Sequence, residues 1–574
     1  MQRALTALAA TMVAGLPCSM AAAQPEALSR VPADAPLIVS ISSVSGFFAQ
    51  AEALTNAIDQ ADAAAGLGMA SDMFQMPGID PQGSAAIVFS SLEGLDDQPE
   101  PPVVALVPVT DYAQVVTNLG GTGQGLEIVQ FEGEDVFIKD IGDGFAAIAP
   151  TRDLLEGFTP ADDSGDDHEA AIGETGEDLL ESSTIVVIAD VASFAPAMLE
   201  GWQQASQQMA MFGQMAGQGD QIQQQIETMT TIIETFGRDG ERGMLGLGAD
   251  DNGISIELAA SFKQGSEIAG FFQETGEATD LTEMLPGGPY LFAMAFDTSS
   301  EGIRQLLLNS AEMNPQGQIP GLNPAQFVEG SNGFAQVFGM NPVGLMGGLF
   351  VNTTAVMDVE DANGFIANLG DSLRAANGQQ ATGMTLTTNF ADAPEQIEGA
   401  EAYRWSVKML PDLNDPNAQQ MQMMMPMLFG PSGGPNGYIA AADDETVVMT
   451  YSTSRDALSG ALSAARTGGD LADNALFQAQ TARLHDDAVA VAYIDVGSIM
   501  RAALPMVAMF ADPVQIEVPD EVHPIAMSLA AEEGSMAFRT VVPQDVIELI
   551  ISTAESLEGM NQGGGGGGGG EPQF

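Results

Sequence analysis

Residues 31–54 read VPADAPLIVSISSVSGFFAQAEAL. Pro32 and Pro36 punctuate the entry, and Leu37–Ile41 is an apolar run of strand length bounded by turn formers. Ser42, Ser43, Ser45 and Gly46 supply a small polar corner, after which the residues suit a helix. The same plan returns from Leu285 as LPGGPYLFAMAFDTSSEGIRQLL. A proline-marked strand, a corner and a helix thus open each half of the chain.

Further markers recur in the same order. Gly78-Ile79-Asp80-Pro81-Gln82-Gly83 corresponds to Gly339-Met340-Asn341-Pro342-Val343-Gly344. ALVPVTDYAQVVTNLG from Ala105 aligns without a gap with AVMDVEDANGFIANLG from Ala355. Arg152-Asp153-Leu154 corresponds to Arg455-Asp456-Ala457, and Asp190-Val191-Ala192-Ser193 to Asp495-Val496-Gly497-Ser498. Strands fall in neighbouring pairs joined by tight turns, as around Asp251-Asn252-Gly253, with helices between the groups. That order favours an α+β fold over a doubly wound parallel sheet. The expectation is two related domains from an internal duplication, each a largely antiparallel sheet packed with helices. They span 24–284 and 285–560, with the junction near Glu283–Leu285. Residues 159–178 are acidic and short of large apolar side chains, which predicts a mobile linker within the first domain. The glycine tract in 561–574 predicts a disordered tail.

The N-terminus predicts export. Arg3, an apolar run over residues 4–16 and Ala21-Ala22-Ala23 fit a signal peptide over 1–23, cut before Gln24. A lipid-acceptor role for Cys18 is disfavoured by Pro17, which stands where a small residue is wanted. Cleavage removes the one cysteine, leaving no disulfide and no thiolate site. No later stretch is apolar for long enough to span a bilayer. With 78 acidic against 16 basic residues, and a net charge of −62, the chain repels nucleic acid and anionic lipid. The expected location is periplasmic or extracellular.

The motifs of chemistry are sparse. His168, His485 and His523 form no ligand pair and read as exposed loop histidines. Gly430-Pro431-Ser432-Gly433-Gly434 fits GxSxG but lacks the preceding strand that a nucleophile elbow requires. Gly120-Gly121-Thr122-Gly123-Gln124-Gly125 follows a helix, so it is not a dinucleotide loop. Asp162-Asp163-Ser164-Gly165-Asp166-Asp167 suits weak divalent-cation binding, without EF-hand spacing. The recurring acids Asp111/Asp361, Asp153/Asp456 and Asp190/Asp495 stand at helix starts, where capping accounts for them. Met421, Met423, Met424, Met425 and Met427 are the candidate metal ligands, since thioethers suit Cu(I). Methionine is also an adaptable apolar filler, and an apolar flap or plain packing explains the cluster as well.

VPADAPLIVSISSV, the GIDP turn and VPVTDY together resemble a loosely defined group of exported bacterial proteins of unknown function. The resemblance covers both halves and implies export, with no catalytic residue or cofactor to carry over. The reading of the sequence is an exported, non-enzymatic binding or envelope-associated protein with an unknown protein or envelope partner. The alternatives are a methionine-based copper-handling protein and a hydrolase with a dispersed carboxylate or serine site.

Overall fold

A computed structural model of the chain describes residues 25–57, 71, 74–92, 101–131, 134–162, 164–216, 219–250, 252–313, 328, 330–340, 347–381, 384–411, 425–510 and 518–563. The expected signal peptide with its cut before Gln24, Met421, Met423, Met424 and the tail beyond residue 563 lie outside the described residues. Two compact units result. The first runs up to Glu274 and includes Ala531–Arg539; the second comprises Thr275–Ala530 and the residues from Thr540 onward.

In the first unit, β1 (Leu37–Ile41) lies between β2 (Ala85–Phe89) and β7 (Ile185–Asp190), antiparallel to both. On one side the sheet continues through β3 (Val103–Pro108), β6 (Phe145–Ala149), β5 (Glu134–Gly142) and β4 (Glu127–Phe131). On the other it continues through β8 (Gly240–Asp250) and β9 (Gly253–Phe262). All these pairings are antiparallel. The β5–β6 turn places Gly142, Asp143 and Gly144 at positive φ, which a glycine pair permits and an aspartate tolerates. Both sheet faces are covered, which explains why β1 is apolar at every position but Ser40 rather than alternating. Ile38, Val88 and Ile188 pack on one face beneath Leu28, Leu155 and Leu179. Ile41, Ile87 and Ile185 pack on the other against Phe47, Phe48 and Phe74.

The stretch expected as a mobile linker is folded. Helices Gly165–Ile172 and Glu174–Ser182 occupy most of it, separated at Gly173, whose φ of 76° suits glycine. Ile172, Leu179 and Leu180 enter the core. The Ser164 hydroxyl lies 3.0 Å from the Leu28 carbonyl and 3.2 Å from that of Ser29. A few well-placed apolar residues and these distant carbonyls outweigh an acidic composition.

In the second unit, β10 (Tyr290–Asp297) lies between β11 (Ser331–Gly339) and β19 (Ala488–Ile494). Beyond β11 come β12 (Asn352–Val359), β18 (Thr446–Thr450), β17 (Asn436–Ala441), β16 (Ala400–Pro411) and β14 (Met384–Phe390). The short β13 (Gln380–Ala381) pairs with β14, and β15 (Glu395–Ile397) with β16. Beyond β19 lies β20 (Ile525–Glu532). Again every pairing is antiparallel, as expected of an α+β chain. Ala293, Ala295 and Ala335 keep one face flat, so Leu458, Leu462 and Phe477 of two helices pack closely onto it. The other face is covered by Phe365, Ile366, Leu369 and Leu373 of helix Ala362–Ala376. That helix covers only part of the face, and what remains uncovered is the site described next. No helix among the described residues is long and apolar enough to cross a membrane.

Candidate functional site

A partly open cavity of about 580 Å3 lies against this face of the second unit's sheet. Strand alternation builds the floor. Phe334, Gln336 and Phe338 of β11 share a face, and the register sets them opposite Met357, Ala355 and Thr353 of β12. A register shift between Ser331 and Gly333 brings Ser331 to the same cavity. From β16 come Trp405, Val407 and Met409, and from helix Ala362–Ala376 Leu369 and Leu373. The indole of Trp405 meets Tyr451 edge to face at 5.2 Å, and its Nε1 donates to the Tyr438 carbonyl at 3.3 Å. Burial raises the Tyr451 phenol above its ordinary pKa.

The polar groups of this cavity are few. Thr298 Oγ1 is committed to the Ser331 carbonyl at 2.8 Å. Thr353 is 1% exposed, and its Oγ1 is buried with no hydrogen-bond partner. Gln336 is 8% exposed in the middle of a buried strand. Gln336 and Thr353 are diagonal neighbours across β11 and β12. None of the described lining residues is charged at neutral pH.

The methionine-rich segment supplies one end of this cavity. Met425 begins a short helical stretch and is half-buried; Met427 is 48% exposed. The stretch is tied to the 347–350 loop, where Leu349 N donates to the Met427 carbonyl at 2.9 Å and Phe350 N to that of Leu428 at 2.8 Å. The two backbones cross at Gly348 and Gly430, where a Cβ on Gly348 would fall 2.4 Å from Gly430 N. This crossing aligns Phe338, Phe350 and Phe429, with successive centroids 5.5 and 5.7 Å apart. The GxSxG match is a turn in which Ser432 Oγ lies 2.7 Å from the Phe429 carbonyl and 2.8 Å from that of Gly434. No strand runs directly into it, and Pro435 beyond it also lines the cavity.

Two histidines depart from expectation. His168 is 1% exposed, on helix Gly165–Ile172, with Nε2 3.0 Å from the Val31 carbonyl. A carbonyl only accepts, so the ring is the Nε2–H tautomer. Burial holds its pKa below the usual histidine value, opposed by the Val31 contact and Asp167 and reinforced by Arg242. His485 is 6% exposed, with Nδ1 2.9 Å from Ser528 Oγ. His523 is half-buried beside Asp545 at 2.9 Å. Both buried rings pair with groups far along the chain, which sequence position alone does not reveal.

Two of the three recurring acid pairs cap helices, whereas Asp153 and Asp456, expected to do the same, do not. Asp111 and Asp361 accept from Gln114 N and Gly364 N at 3.1 Å each. Asp190 and Asp495 accept from Ser193 N and Ser498 N at 2.7 Å each. Asp153 and Asp456 lie in first turns whose caps are Thr151 and Ser454. The glycine loop 120–125 uses its own anion. Glu127 accepts from Thr122 N at 2.6 Å, Thr122 Oγ1 at 2.9 Å and Gln124 N, and these donors lower its pKa, Thr122 N foremost. No group of three or more His, Cys, Asp or Glu side chains among the described residues is placed to hold a metal ion.

The cavity had no counterpart in the sequence reading. Its one local signal is Gln336, a polar residue set between the inward-facing Phe334 and Phe338 of the same strand.

No protein-family model matches this chain, and no curated protein sequence matches it. Among solved structures, crystal form III of TP0453 aligns over 48% of this chain and 98% of that one, at 9% identity and a TM-score of 0.22. A likeness of that size carries no argument about fold or function.

Proposed function

We propose that this chain is an exported, non-enzymatic binding protein whose second unit receives an apolar small molecule. The cavity carries the reading: about 580 Å3 of apolar space is held open against a sheet whose other face is densely packed. Binding pockets for small molecules span about 300–1,000 Å3, with apolar walls and a few placed polar groups. An apolar void forfeits dispersion contacts, which an occupant restores. The hydrolase alternative needs converging carboxylates, and none is among the described lining residues.

We read the two units as copies of one plan, in keeping with the collinear sequence markers. The first unit has the strand order β4-β5-β6-β3-β2-β1-β7-β8-β9 and the second β14-β16-β17-β18-β12-β11-β10-β19-β20. In each, the opening strand sits between the next strand and one that follows a long excursion. The sheet face that meets the cavity in the second unit has its counterpart in the first beneath Phe47, Phe48 and Phe74, where only about 30 Å3 is left. In this reading one copy kept a filled core and the other a binding site.

Fluorescence of the neutral apolar probe N-phenyl-1-naphthylamine tests the function. The full protein should enhance its emission saturably. Ala355→Phe, which inserts a ring from the cavity floor, should abolish the enhancement while far-UV circular dichroism and the melting temperature are retained. Absence of saturable binding to the unaltered protein, or unchanged binding to a folded Ala355→Phe variant, refutes the reading.

A further inference from the structure

We infer that the cavity's ligand is an uncharged, elongated molecule that presents a hydroxyl or amide group to Thr353 and Gln336, rather than a fatty-acid anion or an alkylamine. This rests on the cavity being a binding site. Shape gives the first argument. Ser331 and Phe338 of β11 both line the cavity and pair with Val359 and Thr353, six residues apart on β12, which at about 3.3 Å per residue makes the floor roughly 20 Å long. Such a floor suits a chain better than a compact ring system.

Polarity gives the second. Thr353 Oγ1 is a buried hydroxyl with no hydrogen-bond partner among the described residues. Leaving it so is unfavourable, whereas a ligand hydroxyl or amide would both accept from it and donate to it. The Gln336 carboxamide, diagonal to it on the adjacent strand, also offers both donor and acceptor. The two together match a neutral group that gives and takes hydrogen bonds, while a carboxylate only accepts and an ammonium only donates.

Charge gives the third. A carboxylate drawn in would lose its hydration with no cation among the described lining residues to replace it. Arg304, on helix Glu301–Met313, is not one of those residues. Its Nη2 donates to the Thr298 carbonyl at 2.9 Å and its Nη1 pairs with Glu301 at 3.3 Å, although its Nε has no partner. The net charge of −62 adds a repulsive field against any anion at the approach.

Displacement of N-phenyl-1-naphthylamine from the full protein by dodecanol, dodecanoate and dodecylamine tests the inference with chain length held constant. Dodecanol should displace the probe at a concentration about tenfold lower than either charged analogue, the loss expected when one hydrogen-bonded group is replaced by a mismatched one. Thr353→Val and Gln336→Leu should each narrow that preference, read as the ratio of the dodecanol to the dodecanoate displacement concentration in each variant. Dodecanoate equal to or better than dodecanol overturns the inference and leaves the cavity reading standing; loss of that dodecanoate binding in Arg304→Met would assign the anion to Arg304. Failure of the probe itself to bind refutes the cavity reading instead.

Discussion

Arg539 Nε meets Glu257 Oε2 at 2.6 Å, with the side chains 14% and 3% exposed. The two residues are 282 positions apart in sequence and belong to the same unit. The pair ties Ala531–Arg539 to β9, and neither charge has free access to water. Removing one partner leaves the other buried, which in comparable pairs costs about 3–5 kcal/mol. Arg539→Met should therefore lower the urea midpoint of the first unit markedly. The double variant Glu257→Leu/Arg539→Met should recover most of the loss, because no buried charge is then left alone. Equal destabilisation in the single and double variants would mean that packing, not the ion pair, holds the segment.

His168 should make the first unit sensitive to mild acid. Its folded pKa is depressed by burial, while the unfolded ring titrates near about 6.5. Between those values the unfolded chain binds more protons, so stability rises with pH across that window. The contribution is complete above about 6.5 and is lost as the pH falls toward the folded value. His168→Gln keeps a donor for the Val31 carbonyl but cannot titrate. Its stability should vary less over that window than the parent's, read by urea melts at a series of pH values. Parallel pH profiles for parent and variant would remove His168 from the account.

These cases mark what the sequence could and could not disclose. Strand β1, the β8–β9 hairpin that closes at Gly253 and the cap at Asp111 were legible because the residues that decide them are neighbours. The burial of His168 was not, because its partner carbonyl belongs to Val31, 137 residues earlier. The acidic run around it was misread for the same reason: composition suggests solvation, but Ser164, Ile172 and Leu179 find distant partners. The cavity was least legible of all. It is defined by space between side chains from several strands and a helix, and each of those strands taken alone looks like an ordinary core strand. The methionine segment drew attention by composition, yet its described contribution to the site is Phe429.

Asp111 and Asp361 offer a test of capping against catalysis. Each accepts one backbone N–H at the start of its helix. Asp361→Ala should destabilise the second unit by about 1 kcal/mol, and Asp361→Asn or Asp361→Ser should restore most of that. Neither change should alter binding of the apolar probe. A loss of binding in a well-folded Asp361→Ser variant would show that the carboxylate does more than cap.

Thr353 should behave oppositely in stability and in recognition. Its hydroxyl is buried without a partner, while its backbone is satisfied: Thr353 N donates to the Phe350 carbonyl at 3.3 Å and its own carbonyl accepts from Tyr451 N at 2.8 Å. Valine has nearly the same shape and the same preference for a strand. Thr353→Val therefore removes only the unpaired group, and the empty protein should gain about 1–2 kcal/mol, seen as a higher melting temperature. If the hydroxyl serves a ligand, the stabilised variant should also lose its selectivity for dodecanol over the charged analogues. An equally misplaced hydroxyl serves as the control: Ser40 Oγ in β1 is also buried without a partner among the described residues, but belongs to the first unit and does not line the cavity. Ser40→Ala should leave ligand selectivity untouched. Stabilisation by Thr353→Val with unchanged selectivity would place Thr353 with Ser40, as a packing imperfection and not a recognition group.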